Sequence, residues 1–399
     1  MVLALGSLPL VDHHCHGIRE GWTVAAGDGG AGPPAWRSCF TEARRPASLA
    51  RDVPSLLAYR HFLDAMADRL GLEPGDRERL EARVVARRDQ LAGADPERWL
   101  RGLLDEAGTA ALLVDTGFGG SGTLPVAELA RAAARPVLPV ARVESIVEEL
   151  LRGGAARGSL SRFVDRFEAR LHAAADGGAV ALKSIAAYRA GLALPDHGAG
   201  EPRRAFRALG RDQAERFDDP VLVPFLLRRA AALAAARALP LQVHTGFGDE
   251  DLDLAAADPS LLRPLFRDPR TEDCVVVLLH CHPFVDRAAW LAGLYPQVYM
   301  DLSLTIPLAE PAAVRILAGA LALCPTGKLL AASDGHSYPE MHWWGATTWR
   351  RALAAVLDAE LRTGQLDLMG AHAVARDVLG GTATRLYRLQ AASPLPPAR

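Results

Sequence analysis

The stretch VDHHCHG, residues 11–17, follows an apolar run and places a carboxylate and three imidazoles within five positions. In an extended strand, alternate side chains point to the same face. His14 and His16 therefore share one face, and we expect His13 and Cys15 to share the other. Two imidazoles on one face can bind one metal ion, with zinc–nitrogen distances of about 2.0 Å. Because an HxH pair also occurs by chance, a real site needs further ligands from elsewhere in the chain.

Seven more short apolar runs follow the first one, and stretches with helical periodicity separate them. The eight candidate strands are LPLVDHH (8–14), AALLVDTGF (110–118), RPVLPVARVE (135–144), GAVALKSI (178–185), LPLQVHTGF (239–247), DCVVVLLHCH (273–282), QVYMDLSL (297–304) and KLLAASDGH (328–336). A continuous apolar run is typical of a strand that is covered on both faces, as in a parallel sheet. Eight such strands alternating with helices predict an α/β fold, the (β/α)8 TIM-type barrel. The alternative is an open, doubly wound sheet with an appended helical domain.

Two connections are too long for plain strand–helix units, although we expect a single domain over residues 1–399. Residues 17–108 contain Pro- and Gly-rich stretches and then helical segments, which predict a helical insertion after the first strand. Residues 186–238 form the second long connection. Because barrel active sites form at the carboxyl ends of the strands, both connections are expected to shape the substrate pocket. Residues 390–399, which include SPLPPAR, are expected to form a disordered tail.

Composition excludes several classes of protein. The net charge is -2, so there is no basic excess for binding a phosphate backbone, and we expect no nucleic-acid partner. The five cysteines form no CxxC pair, which fits a reducing cytoplasm. No apolar run reaches membrane-spanning length, and we expect no membrane partner. The prediction is a cytoplasmic protein that acts on a small-molecule substrate, with a homo-oligomer among the states that the sequence leaves open.

Several later strands also end in groups that can bind a metal. These groups are Lys183, His244, His280 and Asp334. In a parallel barrel the carboxyl ends of all strands meet at one mouth. We therefore expect these four side chains to join His14 and His16, although they are spread over most of the chain. Each member of the set is a weak signal, and the joint pattern is a strong one.

This order of groups resembles the amidohydrolase superfamily (amidohydrolase 2 type) over almost the whole chain. Several stretches more narrowly resemble the amidohydrolase domain of the FluG and nodulin-like family. They are CFTEA (39–43), VARVESIVEELL (140–151), ALKSIAAYRAGL (181–192), PLQVHTGFGDEDLDL (240–254), VVLLHCHPFVDRAAWLA (276–292), VYMDLSL (298–304) and SDGHSYPE (333–340). The segment DVLGGTATRLYRL (377–389) is similar to the last helix of many amidohydrolases, where GNA is commoner than the GTA found here.

The resemblance implies a metal centre, whose ligands are His14, His16, Lys183, His244, His280 and Asp334. Lys183 occupies the position where the binuclear branch has a carboxylated lysine bridging two ions. It could instead remain an ammonium group and bind a substrate carboxylate. Neutral imidazoles and a carboxylate suit Zn²⁺, with Mn²⁺ or Fe²⁺ as alternatives and one or two ions per site.

The implied activity is that of a metal-dependent amidohydrolase acting on C–N bonds other than peptide bonds. A metal ion lowers the pKa of its bound water towards about 7 and so supplies hydroxide. Asp334 is expected to carry the water proton to the leaving nitrogen, and His280 to polarise the carbonyl if only one ion is bound. The expected substrate is small and bears a carboxylate, such as a γ-glutamyl or other amino-acid-derived amide.

Residues near the strand ends are candidates for binding this substrate. They are Tyr188, Arg189, His336 and Glu340. Arg189 could bind a carboxylate with two hydrogen bonds, or it could form a structural ion pair. Residues 40–42 in the insertion are expected to help close the pocket, and His282 is expected to be a wall residue beside His280. Arg142 and Glu144 are expected to pair with each other as scaffold.

Two other functions fit the same residues. The first is a non-hydrolytic, metal-dependent decarboxylase on the same barrel; such enzymes typically lack the bridging lysine, so Lys183 argues against this reading. The second is a catalytically inactive regulatory barrel with a structural metal. A structural zinc site is closed by four ligands, whereas the present set leaves room for water.

Overall fold

All of the predicted strands form, and they pair in parallel in the order in which they occur in the chain. The computed structural model describes residues 3–25, 34–73, 77–118, 122–198 and 200–389. The strands are β1 (Leu10–His16), β2 (Thr109–Asp115), β3 (Val137–Arg142), β4 (Ala181–Ser184), β5 (Leu241–Thr245), β6 (Val276–His280), β7 (Val298–Asp301) and β8 (Leu329–Leu330). The prediction of a (β/α)8 TIM-type barrel is confirmed.

Helices surround the strands and fill the long connections. They are α1 (Leu57–Arg69), α2 (Arg77–Ala94), α3 (Pro96–Glu106), α4 (Val126–Ala133), α5 (Val143–Arg152), α6 (Leu160–Asp176), α7 (Gly200–Ala208), α8 (Leu222–Arg237), α9 (Arg263–Phe266), α10 (Val285–Leu294), α11 (Thr305–Leu308), α12 (Ala313–Leu323), α13 (Pro339–Arg362), α14 (Leu368–Arg376) and α15 (Thr382–Leu386). Helices α1 to α3 lie between β1 and β2. None of the helices in the described ranges combines the length and apolarity required to cross a bilayer. The expected tail, residues 390–399, lies outside the described residues.

The strands are buried on both faces, which explains their continuous apolar runs. Val11, Leu113 and Leu279 pack inside the barrel together with Tyr387 from the end of α15. Residues on the opposite faces of the same strands pack in the larger core beneath the helices; Leu112 is one of them. Burying both faces fixes the strands rigidly and so fixes the positions of the side chains at their carboxyl ends.

Strand β1 departs from strict alternation. Its register with β2 shifts between Asp12 and Cys15, which marks a bulge. As a result His13 and His14 both reach residues of the barrel interior, whereas Cys15 donates to the main-chain oxygen of Leu113. The expectation that His13 and Cys15 share a face is wrong, because a bulge resets the two-residue period.

The seam between β1 and β8 closes without a regular ladder in the described part of the chain. Main-chain hydrogen bonds between the described residues cross it, among them those from Asp334 N to His14 O at 3.1 Å and from His16 N to Gly335 O at 2.8 Å. The carboxylate of Asp12 also accepts hydrogen bonds from the main-chain nitrogen and the hydroxyl of Ser333. These bonds set the segment after β8 directly against the end of β1.

Candidate metal centre

His14, His16 and Asp334 converge at the seam. Nε2 of His14 lies 3.1 Å from Oδ1 of Asp334, and Nε2 of His16 lies 3.3 Å from the same oxygen. All three side chains are buried. The close approach follows from the seam, since the main chain of His14 and His16 is hydrogen-bonded to the segment that carries Asp334.

Hydrogen-bond polarity identifies which nitrogen of His14 faces the cluster. The side-chain nitrogen of Gln242 lies 2.8 Å from the main-chain oxygen of His13, which can only accept. Oε1 of Gln242 therefore faces Nδ1 of His14, at 3.0 Å. Nδ1 carries the hydrogen of His14, and the assigned tautomer leaves the Nε2 lone pair pointing towards Asp334.

This arrangement fits a metal cation. A lone pair on His14 directed at a carboxylate oxygen is repulsive unless a proton or a cation lies between them. Burial and the charge of Lys183 lower the pKa of His14 to about 4, which disfavours the proton. Oδ1 of Asp334 is buried and has no hydrogen-bond partner among the described residues. Two imidazole nitrogens and one carboxylate oxygen, all within 4.8 Å of one another, are suitable ligands for a divalent transition metal.

Lys183, at the end of β4, borders the same cluster. Its Nζ lies 3.3 Å from Nε2 of His14. Burial lowers the pKa of Lys183 to about 8, although the charges of Asp115, Asp334 and Asp301 oppose that shift. The structure thus brings Lys183 to the position expected for it.

The ring of His280 lies beside that of His14, and the ring of His244 lies beside that of His280. The ring centroid of His280 is 5.5 Å from that of His14 and 4.5 Å from that of His244. Burial lowers the pKa of both His244 and His280 well below the usual range, so both rings are neutral. The ring of His282 packs against that of Phe247, with the centroids 5.7 Å apart.

A main-chain oxygen fixes the tautomer of His244, whereas the ring of His280 has two competing partners. Nε2 of His244 lies 3.2 Å from the main-chain oxygen of Phe247, so this nitrogen donates and Nδ1 keeps the lone pair. The main-chain nitrogen of Leu304 donates to Nδ1 of His280 at 3.3 Å. Nδ1 of His280 also lies 2.8 Å from the hydroxyl of Ser303, which donates to Oδ1 of Asp301 and so can accept from Nδ1; Leu304 alone does not set the tautomer of His280.

Other residues that support the ligands were not found from the sequence. Asp301 accepts a hydrogen bond from the main-chain nitrogen of His280 at 2.6 Å, and its other oxygen lies 3.0 Å from Nε2 of His13. The hydroxyl of Ser303 lies 2.8 Å from Nδ1 of His280. Asp301 ends β7 and Gln242 lies two residues before His244, so the rule that strand ends carry function could have indicated both.

Asp115 at the end of β2 was also missed. It forms an ion pair with Arg142, and Nδ1 of His16 lies 3.9 Å from it. Burial alone would raise the pKa of Asp115, but the charges of Arg142, His16 and Lys183 hold it well below its usual range. Arg142 therefore pairs with Asp115 rather than with Glu144, which accepts a hydrogen bond from Ser184.

Two of the four predicted substrate-binding residues line the space beside the ligands. The ring of Tyr188 lies 4.5 Å from that of His244. The ring of His336 lies 5.5 Å from that of Phe118, which in turn lies 4.6 Å from His16. Phe118 is 42% exposed, so an aromatic surface borders the ligands on the side of β2.

The other two candidates make their contacts elsewhere. Arg189 forms an ion pair with Glu148 at 3.0 Å. Glu340 is fully buried, where it accepts hydrogen bonds from Arg88 of α2 and from the indole of Trp99 in α3. Substrate binding by Arg189 or Glu340 stays a prediction that these contacts do not support.

Comparisons with known proteins identify the family of the chain. The model of the family described as amidohydrolase matches residues 11–389. The FluG protein of Emericella nidulans is 28% identical over 414 residues, an alignment that covers 97% of this chain and 46% of that protein. The chain therefore spans about half the length of this relative.

Solved structures share the architecture. A provisionally assigned metal-dependent hydrolase from Lactobacillus casei ATCC 334 has a TM-score of 0.83 and 28% identity, with 96% of each chain covered. Uronate isomerase from Thermotoga maritima has a TM-score of 0.67 and 14% identity, over 96% of this chain and 95% of that chain. The second likeness shows the fold alone.

Proposed function

Because the chain belongs to the amidohydrolase family, we propose that it is a metal-dependent hydrolase that cleaves an amide or related C–N bond of a small substrate. The observation that carries the proposal is the convergence of the His14 and His16 nitrogens on one oxygen of Asp334. The lone pair on Nε2 of His14 points at this oxygen, and a bound cation would remove the repulsion between them.

His14, His16 and Asp334 would hold the metal, with His244 beside them. When bound, such an ion acts as a Lewis acid and activates water at neutral pH. Zn²⁺ suits these donors best, and Mn²⁺ and Fe²⁺ are the alternatives. Gln242 lies behind His14 and fixes the direction of its ring, as hydrogen-bond partners of metal ligands commonly do.

Two residues of the chain carry the remaining chemistry. In the proposal, Asp334 accepts the proton of the attacking water and passes it to the leaving nitrogen. His280 donates the hydrogen on Nε2 to the carbonyl oxygen of the substrate, where negative charge develops. This role requires a hydrogen on Nε2 of His280, which the main-chain donor of Leu304 favours and the 2.8 Å contact with the Ser303 hydroxyl opposes.

Lys183 distinguishes two forms of the site. In one form it carries a carboxylate and bridges two ions; in the other it remains an amine beside a single ion. A high-resolution crystal structure with anomalous scattering would count the ions and would reveal any added carboxylate on Lys183.

Metal-reloaded protein should release amine from a panel of amino-acid amides and γ-glutamyl amides. We expect His14→Ala and Asp334→Asn to lower kcat by at least about 10³-fold, since each removes a ligand and Asp334 also carries the proton. Circular dichroism should show an intact barrel in both variants. The matched control is His172→Ala, which removes an exposed imidazole on α6.

Three results would contradict the proposal. Retained activity in Asp334→Asn would remove Asp334 as the proton carrier. Metal-dependent release of CO₂ without release of amine would favour the decarboxylase. Tight metal binding with no turnover of any amide, ester or acid would favour the regulatory barrel.

A further inference from the structure

A second group of potential metal ligands lies between β1 and α13. It consists of Asp12, Cys15 and His342, and one ligand atom from each lies within 4.8 Å of the other two. All three side chains are buried, with exposed fractions of 0%, 0% and 1%. Cys15 packs in the core beneath the helices, whereas His14 reaches Gln242 inside the barrel. The group is therefore distinct from the cluster around Asp334.

Close packing of α13 brings His342 to this position. A Cβ atom at Gly335 would lie 2.7 Å from Cα of His342, and a Cβ atom at Gly345 would lie 2.7 Å from Cα of Ser333. Because both positions are glycine, α13 can lie directly against the segment that joins it to β8. Ser333 in that segment also donates two hydrogen bonds to Asp12, so the ligands of this group come from parts of the chain that are held together.

The ring of His342 has no hydrogen-bond partner in the described part of the chain. Both of its nitrogens are buried and unpartnered. Nδ1 lies 3.8 Å from Oδ2 of Asp12, which is too far for a direct hydrogen bond. Protonation would leave two buried N–H groups of this ring unsatisfied, whereas a metal ion on Nδ1 would leave only one. A metal ion thus explains the gap between the two side chains better than a proton does.

The other two members of the group supply negative charge. No Lys or Arg side chain in the described ranges forms an ion pair with the carboxylate of Asp12, although a buried charge without a counter-charge is costly. The thiol of Cys15 makes a weak hydrogen bond to the main-chain oxygen of Leu113 at 3.5 Å. A divalent cation bound by this carboxylate and a thiolate gives a buried group without net charge.

We propose that Asp12, Cys15 and His342 bind a structural zinc ion. Thiolate, imidazole and carboxylate are the ligands that zinc takes in proteins, and the hydroxyl of Ser333, which bonds to Asp12, could supply the fourth position. On binding, the thiol of Cys15 releases its proton to solvent and gives up its hydrogen bond to Leu113. The ion would join β1, α13 and the segment after β8, and it is separate from the ion proposed for hydrolysis.

Cobalt distinguishes this site from the cluster around Asp334. Co²⁺ occupies the same kinds of nitrogen, oxygen and sulfur sites as Zn²⁺, and a bond between cobalt and a thiolate gives a charge-transfer band in the near ultraviolet. The cluster around Asp334 offers nitrogen and oxygen atoms, which do not give this band. We expect the full chain, stripped of metal and reloaded with Co²⁺ under reducing conditions, to show the band with the intensity of one thiolate bond per chain.

Two variants test the ligands, and two controls test the alternatives. Cys15→Ser should abolish the band, and His342→Phe, which keeps a ring but removes the nitrogen, should weaken cobalt binding at least tenfold in a titration of the band. Cys39→Ser should keep the band, although Cys39 lies 3.9 Å from His336. His14→Ala should also keep it, because it removes a ligand of the other cluster. Circular dichroism checks that each variant is folded.

Several results would overturn the inference. They are the absence of the band in wild-type protein, its survival in Cys15→Ser, its loss in Cys39→Ser or in His14→Ala, and unchanged cobalt affinity in folded His342→Phe. If Cys15→Ser does not fold, the wild-type spectrum and His342→Phe decide the question. None of these measurements involves turnover, so the outcome is independent of the hydrolase proposal.

Discussion

A single side-chain amide sets the chemistry of His14. Gln242 donates to the main-chain oxygen of His13 and lies 2.9 Å from the hydroxyl of Tyr387, so its oxygen is left for Nδ1 of His14. Only this orientation leaves a lone pair on Nε2 of His14. The direction of one amide, buried beneath the cluster, thus decides that the ring can act as a metal ligand.

Removing this amide should weaken metal binding. In Gln242→Leu, Nδ1–H of His14 loses its acceptor, and we expect the affinity for Zn²⁺ to fall by about 10–100-fold. Competition with a chromophoric chelator measures the change. Tyr387→Phe is the control, because it alters the other end of the same network without contacting His14, and it should change the affinity by less than about threefold. Equal losses in both variants would show that the network acts only through packing.

At the scale of elements, a buried ion pair joins the insertion to the barrel. Arg88 of α2 bonds to Glu340 in the first turn of α13 at 2.6 Å and 3.1 Å, and both side chains are 0% exposed. The indole of Trp99 in α3 donates to the same carboxylate at 2.6 Å. Helices α2, α3 and α13 are thereby held together just beyond the segment that carries Asp334. The contacts of Glu340 are therefore structural.

Breaking this pair should destabilise the protein. Arg88→Met leaves the Glu340 carboxylate buried without its cation, and we expect a loss of about 3–5 kcal/mol in the free energy of unfolding. Urea denaturation followed by circular dichroism measures the loss. Arg170→Met is the matched control, since its pair with Glu149 is half-exposed and should contribute less than about 1 kcal/mol.

The double variant separates charge from shape at this pair. Arg88→Met combined with Glu340→Gln removes both charges and keeps an acceptor for Trp99. It should recover part of the lost stability. A loss in Arg88→Met no larger than that in Arg170→Met would mean that the pair does not hold the insertion in place.

At the scale of the whole molecule, the candidate ligands span the weakest junction of the barrel. In the described residues, β8 has two residues and no ladder joins it to β1. Residues from the carboxyl-terminal segment cover the lower part of this seam: Ala331 donates to Val378, and Gly380 lies so close to Pro9 O that a side chain there would collide with it. The upper part depends on Asp12, Ser333 and the cluster around Asp334.

Metal binding should therefore stabilise the closed barrel. Removing a metal present at 100–1,000 times its dissociation constant costs about 2.7–4.1 kcal/mol, which for a chain of 399 residues lowers Tm by about 3–5 °C. Differential scanning calorimetry measures the shift. Hydrogen exchange should increase at the end of β1 and in the segment after β8. An unchanged Tm after verified removal of the metal would contradict this account. So would a fall in the Tm of His14→Ala on metal removal as large as that of the wild-type protein.

The sequence by itself located the barrel and proposed the residues of the candidate site. Strands buried on both faces require continuous apolar runs, and such runs are visible without any structure. The resemblance placed His14, His16, Lys183, His244, His280 and Asp334 at strand ends, and the parallel topology brings strand ends together. Local pattern was sufficient for these conclusions because burial and strand direction are local properties.

The tertiary structure decided which groups face each other. The bulge in β1 turned His13 inwards, and Arg142 paired with Asp115 rather than with Glu144. Gln242 set the tautomer of His14. Apart from the bulge, each of these outcomes depends on where a hydrogen-bonding or charged partner lies. That partner is on another strand or in the segment that follows another strand. A one-dimensional pattern specifies which faces are buried, but the choice among several partners of similar chemistry depends on distances that exist only once the barrel has closed.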